Sequence, residues 1–308
     1  MTPDPLQVDR VADLPRMQAI IAEALAADPR YVIHPGDLAW WVYHEDPRIA
    51  DQVSYWIWEE AATLVLGEDE INVFATPGAP IEDLIEWAQA KVGGTGVVAG
   101  VSSVDEGLIR YLLGAGYHSG SEMFQFEWDL DQGEVPKPVL PPGWALRPVS
   151  GESEANARRT ASHLAFRSTM TDEEHLERYL RFMRSPVYVP EHDLVAVAPD
   201  GTIASFMVWW ADDSGIAQIE PFGTHPEFQG RGIGRALIHH GLRQMRESGM
   251  RLARVCTEVT RDPASRFYPG VGFDVVGRLV SWIPPSSGPA SIEESEGATG
   301  SYLPPPLS

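Results

Sequence analysis

The feature that most constrains this chain is a glycine-rich turn between a predicted strand and a predicted helix. Residues 216–222 have the apolar character of a strand, and residues 232–248 repeat apolar side chains at helical spacing. Residues 229–235 read Gln-Gly-Arg-Gly-Ile-Gly-Arg. Unpaired amides of a first helical turn converge at such a place, and glycines let an anion reach the backbone. The segment predicts a phosphate-binding turn, with an ordinary tight turn before a helix as the alternative.

The spacing of these glycines excludes two common nucleotide-binding motifs. Gly230, Gly232 and Gly234 follow a Gly-x-Gly-x-Gly pattern, whereas a dinucleotide fold needs Gly-x-Gly-x-x-Gly. No Gly-Lys-Ser or Gly-Lys-Thr follows, so the turn is not a nucleotide P-loop. Arg231 and Arg235 would add charge-assisted hydrogen bonds to a bound phosphate.

The same run resembles the acetyl-CoA motif of the GNAT superfamily of N-acetyltransferases, whose pattern is Gln/Arg-x-x-Gly-x-Gly/Ala. Here the motif begins at Gln229, and residues 225–227, His-Pro-Glu, are the usual lead-in of that family. About 35 residues downstream, residues 264–273 resemble the second motif of the family, Ala-x-x-x-Tyr-x-x-x-Gly-Phe. The resemblance covers about residues 146–283.

The resemblance implies acetyl-CoA as co-substrate and assigns roles to individual positions. Tyr268 occupies the place of the tyrosine that often protonates the leaving thiolate. The end of the preceding strand would pair with the pantetheine arm and fix the acetyl carbonyl, through Phe222, Gly223 and Thr224. The amides of the turn would hold the CoA diphosphate, from Gln229, Gly230, Arg231, Gly232, Ile233, Gly234 and Arg235.

Acetyl transfer to an amine also requires a group that accepts a proton. A free alkylamine has a pKa of about 10.4, and only its neutral form attacks a thioester. Glu220 is the best candidate, because strand alternation places it on one face with Phe222 and Thr224. A structural carboxylate and an anchor for the substrate amine remain as alternatives for Glu220. The alternative for Tyr268 is a ring packed beside CoA with its hydroxyl merely hydrogen-bonded.

Two positions depart from the family pattern. The family often has Asn seven residues before the tyrosine, where this chain has Arg261. Arg261 therefore removes one expected cofactor contact, or meets a CoA phosphate instead. Pro269 directly follows the tyrosine, which is unusual and is expected to redirect the loop.

The two halves of the chain end with the same order of elements, which indicates an internal duplication. Residues 111–117, Tyr-Leu-Leu-Gly-Ala-Gly-Tyr, parallel residues 267–273, Phe-Tyr-Pro-Gly-Val-Gly-Phe. With the resemblance, this predicts an α/β (mixed α+β) fold of two tandem acyl-CoA N-acyltransferase domains. Each would be a mixed, mostly antiparallel sheet flanked by helices. The predicted parts are a degenerate domain at 1–130, a Pro/Gly-rich linker at 131–143, a catalytic domain at 144–283, and a flexible tail at 284–308.

The first half has a poor counterpart of the phosphate turn. Residues 75–80 read Ala-Thr-Pro-Gly-Ala-Pro, with one glycine and two prolines that lack an N–H donor. We therefore expect that this half does not bind acetyl-CoA productively. Its expected roles are packing against the active half, lining the acceptor cleft, or dimerisation.

The charge distribution bears on the partners of the protein. The net charge is −21, and residues 1–140 hold 24 acidic and 7 basic side chains, against 20 and 16 in residues 141–308. Such a field disfavours nucleic acid and anionic membranes and favours a cationic substrate, although solubility alone is the alternative explanation. The single cysteine, Cys256, and the lack of a secretion signal fit a reducing cytoplasm. The histidines show no ligand spacing, so no metal site is predicted.

Together these patterns predict an N-acetyltransferase that moves an acetyl group from acetyl-CoA to an amine. The acceptor would be a small molecule or a peptide, and transfer would be direct in a ternary complex. Two alternatives remain: a mycothiol-synthase-like acyltransferase, and a CoA-binding sensor or scaffold without turnover. A homodimer is left open.

Overall fold

The structure is a computed structural model that describes residues 3–30, 33–44, 52–260 and 262–285. Twelve strands of these residues form one continuous sheet in the order β1-β2-β3-β4-β5-β12-β6-β11-β10-β9-β8-β7. Their bounds are β1 Leu6–Val8, β2 Ser54–Trp58, β3 Ala62–Leu66, β4 Glu70–Ala75, β5 Val97–Ser102, β6 His118–Asp129, β7 Ala145–Pro148, β8 Asp193–Val197, β9 Ile203–Ala211, β10 Ile216–Thr224, β11 Leu252–Glu258 and β12 Asp274–Ile283.

The helices of the described residues cover both faces of this sheet. Their bounds are α1 Leu14–Ala27, α2 Pro35–His44, α3 Ile81–Lys91, α4 Glu106–Gly114, α5 Ala155–Phe166, α6 Asp172–Met183, α7 Ile233–Glu247 and α8 Asp262–Val271. Helices α2 and α6 pack against Val208 and Trp210 on one face, whereas α7 packs against Met207 and Trp209 on the other. This confirms that Trp209 and Trp210 point to opposite faces, as strand alternation requires.

The two halves exchange their last strands. Strand β6 of the first half lies between β11 and β12 of the second, and β12 lies between β5 and β6. Antiparallel pairs hold β6 on both sides, for example Val255 opposite Phe126 and Val275 opposite Phe126. Each half therefore completes the sheet of the other. The domain ranges 1–130 and 144–283 remain a prediction. One continuous sheet runs through both ranges.

The repeated order of elements has a structural counterpart. Each half contains one parallel strand pair, β4 with β5 and β10 with β11, and these pairs are short. The first is registered only at Glu70–Val97 and Ile71–Val98, after which the strands diverge. The second is registered from Ile216–Leu252 to Gln218–Arg254. A V-shaped opening follows each pair, at the N-terminus of α3 in one half and of α7 in the other.

The segment predicted as a linker has neither helix nor strand, and it packs on α7. Val135 is buried in the core under this helix. Arg243 and Arg246 of α7 donate to the carbonyls of Val135 at 3.3 Å and Gly133 at 2.9 Å. Residues 286–308, most of the predicted tail, lie outside the described residues, as does Arg261. Within the described part of the chain, no helix combines the length and the apolar run that a membrane span needs.

Candidate active site

The glycine turn opens directly into helix α7, as its sequence predicts. Gly230 and Gly232 have φ values of +72° and +80°, the left-handed region in which a side chain is strained. A Cβ at either position would meet no atom within 4 Å, so the space above the turn is open. Gly234 differs, because a Cβ there would lie 2.8 Å from Thr224 Oγ1 and 3.1 Å from Phe222 Cζ. The absence of a side chain at Gly234 lets the first turn of α7 pack closely against β10.

Six consecutive amides of this turn lack an acceptor. The N–H groups of residues 230–235 donate to no acceptor among the described residues, whereas Ala236 N already donates to Gly232 O at 3.0 Å. Gln229 is the exception within the predicted set, since its amide donates to Pro226 O at 3.3 Å. Its side-chain Nε2 donates to Thr224 O at 3.0 Å. The free amides and the dipole of α7 fit a bound diphosphate.

Two arginines flank the amides of the turn. Arg231 is exposed, and its guanidinium carbon lies 5.6 Å from the centre of the Phe228 ring. Arg235 is exposed as well, and its Nη2 donates to Gly270 O at 3.2 Å, which ties α7 to α8. Both side chains are long and charged, so they are able to turn towards a phosphate bound at the amides.

The end of β10 forms one wall of the V-shaped opening. Phe222, Gly223 and Thr224 pair with β9 on one side, while pairing with β11 on the other side has already ended at Gln218. The edge of β10 beyond that point therefore faces the opening. Gly223 has no room for a side chain, because a Cβ would lie 2.5 Å from Phe206 Cζ.

Glu220 lies at a bulge in β10. Ile219 is opposite Trp209 and Phe222 is opposite Met207, so three steps on β10 match two on β9. Phe222 consequently lies on the α7 face with Ile219, which differs from the single face expected for Glu220, Phe222 and Thr224. The Glu220–Pro221 peptide bond in this bulge is cis. The glutamate side chain is partly buried, and Trp210 Nε1 donates to its main-chain carbonyl at 2.9 Å.

Tyr268 lies on α8 and is 5% exposed. Its ring contacts Phe126, Phe222 and Phe273, with centroid distances of 5.3, 6.4 and 5.7 Å. Burial raises the pKa of the Tyr268 hydroxyl well above its ordinary value, and the charge of Glu220 raises it further. The phenol therefore stays protonated at neutral pH, as a proton donor must.

Several side chains at the end of α5 and in the loops on either side of α6 are engaged in packing. Phe166 lies edge-on to Phe206, with ring centroids 5.4 Å apart. Tyr188 Oη donates to Asp193 Oδ2 at 3.3 Å, and Met170 Sδ lies 3.5 Å from Arg178 Nη1. Cys256 has a pKa that burial raises to about 12, which keeps the thiol protonated.

The corresponding opening of the first half has different chemistry. A cavity of about 410 Å³ lies there, lined by Thr76, Gly78 and the carboxylates Asp28 and Asp105, among others. Helix α3 is preceded by Pro80, and its first turn holds Glu82 and Asp83. Ala79 and Ile81 amides donate to neighbouring carbonyls, at 3.2 and 2.9 Å. Proline and acidic residues at the helix start disfavour a diphosphate.

Sequence reasoning missed one group near this site. Asp37 lies in the first turn of α2, which packs against β10. Burial raises its pKa from 3.8 to about 7. No local pattern signals this environment, because α2 and β10 are almost 180 residues apart in the chain.

Three comparisons with known proteins agree with this geometry. The sequence profile of the Acetyltransferase (GNAT) family matches residues 160–273. A mycothiol acetyltransferase of Nocardiopsis dassonvillei is 33% identical over 171 residues, 49% of this chain and 50% of that protein. One of Kineococcus radiotolerans is 30% identical over 184 residues, 57% of this chain and 56% of that protein. The chain thus spans about half the length of the curated relatives that it matches.

Solved structures extend the likeness to both halves. A tandem GNAT protein from the clavulanic acid biosynthesis pathway matches with a TM-score of 0.66 and 18% identity, covering 93% of this chain and 99% of that one. A GCN5-related N-acetyltransferase from Sphaerobacter thermophilus matches with a TM-score of 0.58 and 21% identity, covering 92% and 98%. The predicted fold class is confirmed. Residues 160–273 therefore match the Acetyltransferase (GNAT) family, and the chain as a whole has a fold similar to that of a tandem GNAT protein.

Proposed function

We propose that this protein is an acetyl-CoA-dependent N-acetyltransferase with one working site, in its second half. The observation that carries the proposal is the row of amides at residues 230–235 that have no acceptor in the described part of the chain. This row of amides lies beside the end of β10, the strand that carries Glu220, and the ring of Tyr268 contacts Phe222 on the same strand. A diphosphate bound on the amides would leave the pantetheine arm to run along the free edge of β10.

The proposed transfer needs two proton movements besides the attack. Acetyl-CoA supplies a thioester whose carbonyl carbon accepts the amine nitrogen. Glu220 takes a proton from the amine, directly or through one water, so that the nitrogen lone pair forms the new C–N bond. As the C–S bond breaks, Tyr268 gives its proton to the thiolate sulfur. Burial raises the pKa of the Tyr268 hydroxyl, so the phenol is protonated at neutral pH and holds the proton that this step requires.

The acceptor in this proposal is a cationic amine of a small molecule or a peptide. The net charge of −21 supports it, since a negative field raises the local concentration of cations. Reaction in the cytoplasm is proposed because the chain has a single cysteine, Cys256, which cannot form an internal disulfide and so needs no oxidising compartment. Assembly into a homodimer remains a prediction, which sedimentation measurements would test.

A second candidate follows from the names of the relatives. The mycothiol acetyltransferases match this chain over about half of their length. Transfer to the acceptor of such an enzyme is therefore the first specific activity to test. The remaining alternative is a CoA-binding sensor that keeps the fold without turnover.

One assay separates these candidates. Purified protein is mixed with acetyl-CoA, a panel of amines that includes the acceptor of a mycothiol acetyltransferase, and a thiol reagent that reports free CoA. Catalysis predicts CoA release that depends on the acceptor and is lost in Glu220→Gln and reduced in Tyr268→Phe. Glu227→Gln is the matched control, because Glu227 is an exposed carboxylate of the same segment. CoA binding without release for any amine would favour the sensor.

A further inference from the structure

A second cleft lies between the two halves of the chain, apart from the glycine turn. Its volume is about 810 Å³, and its described lining residues lie at positions 10–11, 42–43 and 173–186. These positions belong to the turn after β1, the end of α2, and α6 with the loop that follows it. The candidate acetyl-CoA site lies at positions 220–268, so the two sites share no residue. A cleft of this size between two structural units is a common place for a small ligand.

The walls of this cleft are largely apolar. Helix α6 contributes Leu176 and Leu180, which are partly buried, and α2 contributes Val42, which is 7% exposed. Val11 adds an apolar side chain that is 48% exposed. A hydrocarbon chain bound here would remove this apolar surface from water, which is favourable. The lining therefore fits a ligand with an apolar body.

One arginine of the cleft has a buried N–H group without an acceptor. Arg10 Nη1 is buried and has no hydrogen-bond partner among the described residues. The carboxylate of Asp9 is engaged elsewhere, since its Oδ1 accepts from the amides of Val11 and Ala12 at 2.9 and 2.8 Å. A buried donor of a charged group is unfavourable when it has no acceptor. An anion in the cleft would supply one, because the guanidinium presents five N–H groups on a flexible side chain.

A hydroxyl of the same cleft is also unpaired. The amide of Ser185 donates to Phe182 O at 3.0 Å, whereas its buried Oγ has no partner in the described part of the chain. A serine hydroxyl rotates and can donate to a carboxylate oxygen. Arg181 is used differently, since its Nε donates to Tyr43 O at 3.3 Å and ties α6 to α2. Arg10 and Ser185 thus offer the cleft two donor groups that the fold leaves unpaired.

Two carboxylates limit the charge that a ligand in the cleft can carry. Glu173 and Glu177 line the cleft one helical turn apart, and both are exposed. Arg184 lines it too, but its Nε and Nη2 donate to Glu152. A second negative charge on a ligand would be repelled by the two glutamates. The cleft therefore fits one anionic group on an apolar body.

We propose that this cleft binds a carboxylate that has a single charge and a hydrocarbon body. Arg10 and Ser185 donate hydrogen bonds to the carboxylate, and the apolar side chains of α2 and α6 contact the hydrocarbon. The site is separate from the proposed transferase site and does not depend on it. Because α2 belongs to the first half and α6 to the second, the ligand bridges the two halves.

The test measures the binding of octanoate, 1-octanol and octanedioate to the full-length protein by calorimetry. The three compounds have the same number of carbons and differ in charge. Octanoate should bind with a stoichiometry of one and at least about tenfold more tightly than 1-octanol, a difference of about 1.4 kcal/mol. Octanedioate should bind more weakly than octanoate. Equal affinities for octanoate and 1-octanol, no binding of octanoate, or tighter binding of octanedioate would overturn the inference.

The matched variants are Arg10→Gln and Arg110→Gln. Both remove one positive charge from the first half, but Arg110 is exposed on α4 and lies outside the described lining of the cleft. Arg10→Gln should abolish the preference for octanoate and leave the affinity for 1-octanol unchanged, whereas Arg110→Gln should keep the preference. Ser185→Ala should weaken octanoate binding roughly fivefold, through the loss of one hydrogen bond. A preference that survives in Arg10→Gln, or is lost equally in Arg110→Gln, would contradict the assignment.

Acetyl-CoA separates this inference from the proposed function. Because the two sites share no residue, octanoate should bind with the same stoichiometry when the protein is saturated with acetyl-CoA. Displacement of octanoate by acetyl-CoA would place the carboxylate at the amides of residues 230–235 and overturn the inference. A protein that binds octanoate but not acetyl-CoA would contradict the proposed function and support the cleft. Saturating octanoate should also raise the melting temperature of the natural protein more than that of Arg10→Gln, and an equal rise in both would count against the inference.

Discussion

The indole of Trp210 donates its Nε1–H to the main-chain carbonyl of Glu220 at 2.9 Å, across the bulge of β10. This bond fixes the segment from which the glutamate side chain projects. Trp210 is itself held by Trp40 and Phe182, with ring centroids 6.4 and 5.7 Å away. The position of the proposed base therefore depends on an aromatic cluster that α2 of the first half helps to build.

Trp210→Phe should lower turnover more than it lowers CoA binding. The substitution keeps an aromatic ring and removes the hydrogen bond to Glu220, worth about 1 kcal/mol, so kcat should fall roughly five- to tenfold. The control is Trp209→Phe, the same change on the opposite face, where Nε1 has no partner among the described residues. Steady-state kinetics and CoA calorimetry on both variants check this. Equal losses of kcat in both would indicate general loss of packing instead.

Gly232→Ala should weaken CoA binding by about tenfold or more. Gly232 has φ +80°, which costs alanine about 1 kcal/mol, and its methyl group would occupy the open space where a diphosphate approaches the amides. Gly249→Ala is the matched control at the other end of α7, with φ +86° and nothing within 4 Å of its Cβ. Both variants should lose similar stability, and only Gly232→Ala should lose affinity in calorimetry. Unchanged affinity would place the CoA diphosphate elsewhere.

The sequence predicted the local elements well and the partners of the strands poorly. The apolar period and the preceding proline predict a helix at residues 81–91, and α3 is Ile81–Lys91. The apolar pattern predicts a strand at residues 123–129, whereas β6 begins at His118, five residues earlier, because it pairs along β12 as well as β11. Which edges meet in a sheet is decided by contacts between distant residues, and no periodicity encodes them. The exchange of β6 and β12 was therefore not predicted.

The residues of the candidate site fall into the same two groups, those predicted from one local segment and those whose environment is set by distant strands. The turn at residues 229–235 lies in one stretch of chain, so its glycines and arginines were predicted together. Asp37 was missed because its environment is created by β9, β10 and β11 of the other half. The bulge that moves Phe222 to the face of Ile219 was also missed, since strand alternation assumes a regular ladder.

The protein should bind one CoA per chain, in its second half. The opening of the first half offers a cavity of about 410 Å³ but places Pro80, Glu82 and Asp83 at the start of α3. Calorimetric titration with acetyl-CoA should give a stoichiometry of one, and Gly232→Ala should weaken binding at that site by about tenfold or more. A stoichiometry of two, or one site that survives this change unaltered, would assign CoA binding to the first half.

Tyr268→Phe should lower kcat with little change in CoA affinity, because the ring keeps its contacts with Phe126 and Phe222 and only the hydroxyl is lost. Burial, the charge of Glu220 and Cys256 all raise the pKa of this hydroxyl. A raised pKa keeps the proton on the phenol as the pH increases. Deprotonation of Tyr268 should therefore cause no decline in turnover up to about pH 10, the ordinary pKa of a tyrosine. Rates measured across alkaline pH check this, and a decline present in the natural protein but absent in Tyr268→Phe would contradict it.

Asp37→Asn should stabilise the protein at alkaline pH. The carboxyl pKa is raised from 3.8 to about 7 in the folded state, so that state holds the proton more tightly than the unfolded chain does. The stability that protonated Asp37 contributes is fully present below pH 3.8, declines as the pH rises, and is lost above about pH 7. An amide resembles the protonated acid, so the variant avoids the loss. At about 1.4 kcal/mol for each unit of pKa, the gain near pH 8 is at most roughly 4 kcal/mol.

Urea unfolding of the natural protein and the variant, at about pH 8 and about pH 4, measures this difference. The variant should be more stable at the higher pH, and the two proteins should converge at the lower one. Asp105→Asn should show little change at either pH, because asparagine caps a helix about as well as aspartate. An Asp37→Asn protein less stable at alkaline pH would mean that the ionised carboxylate is needed by the fold.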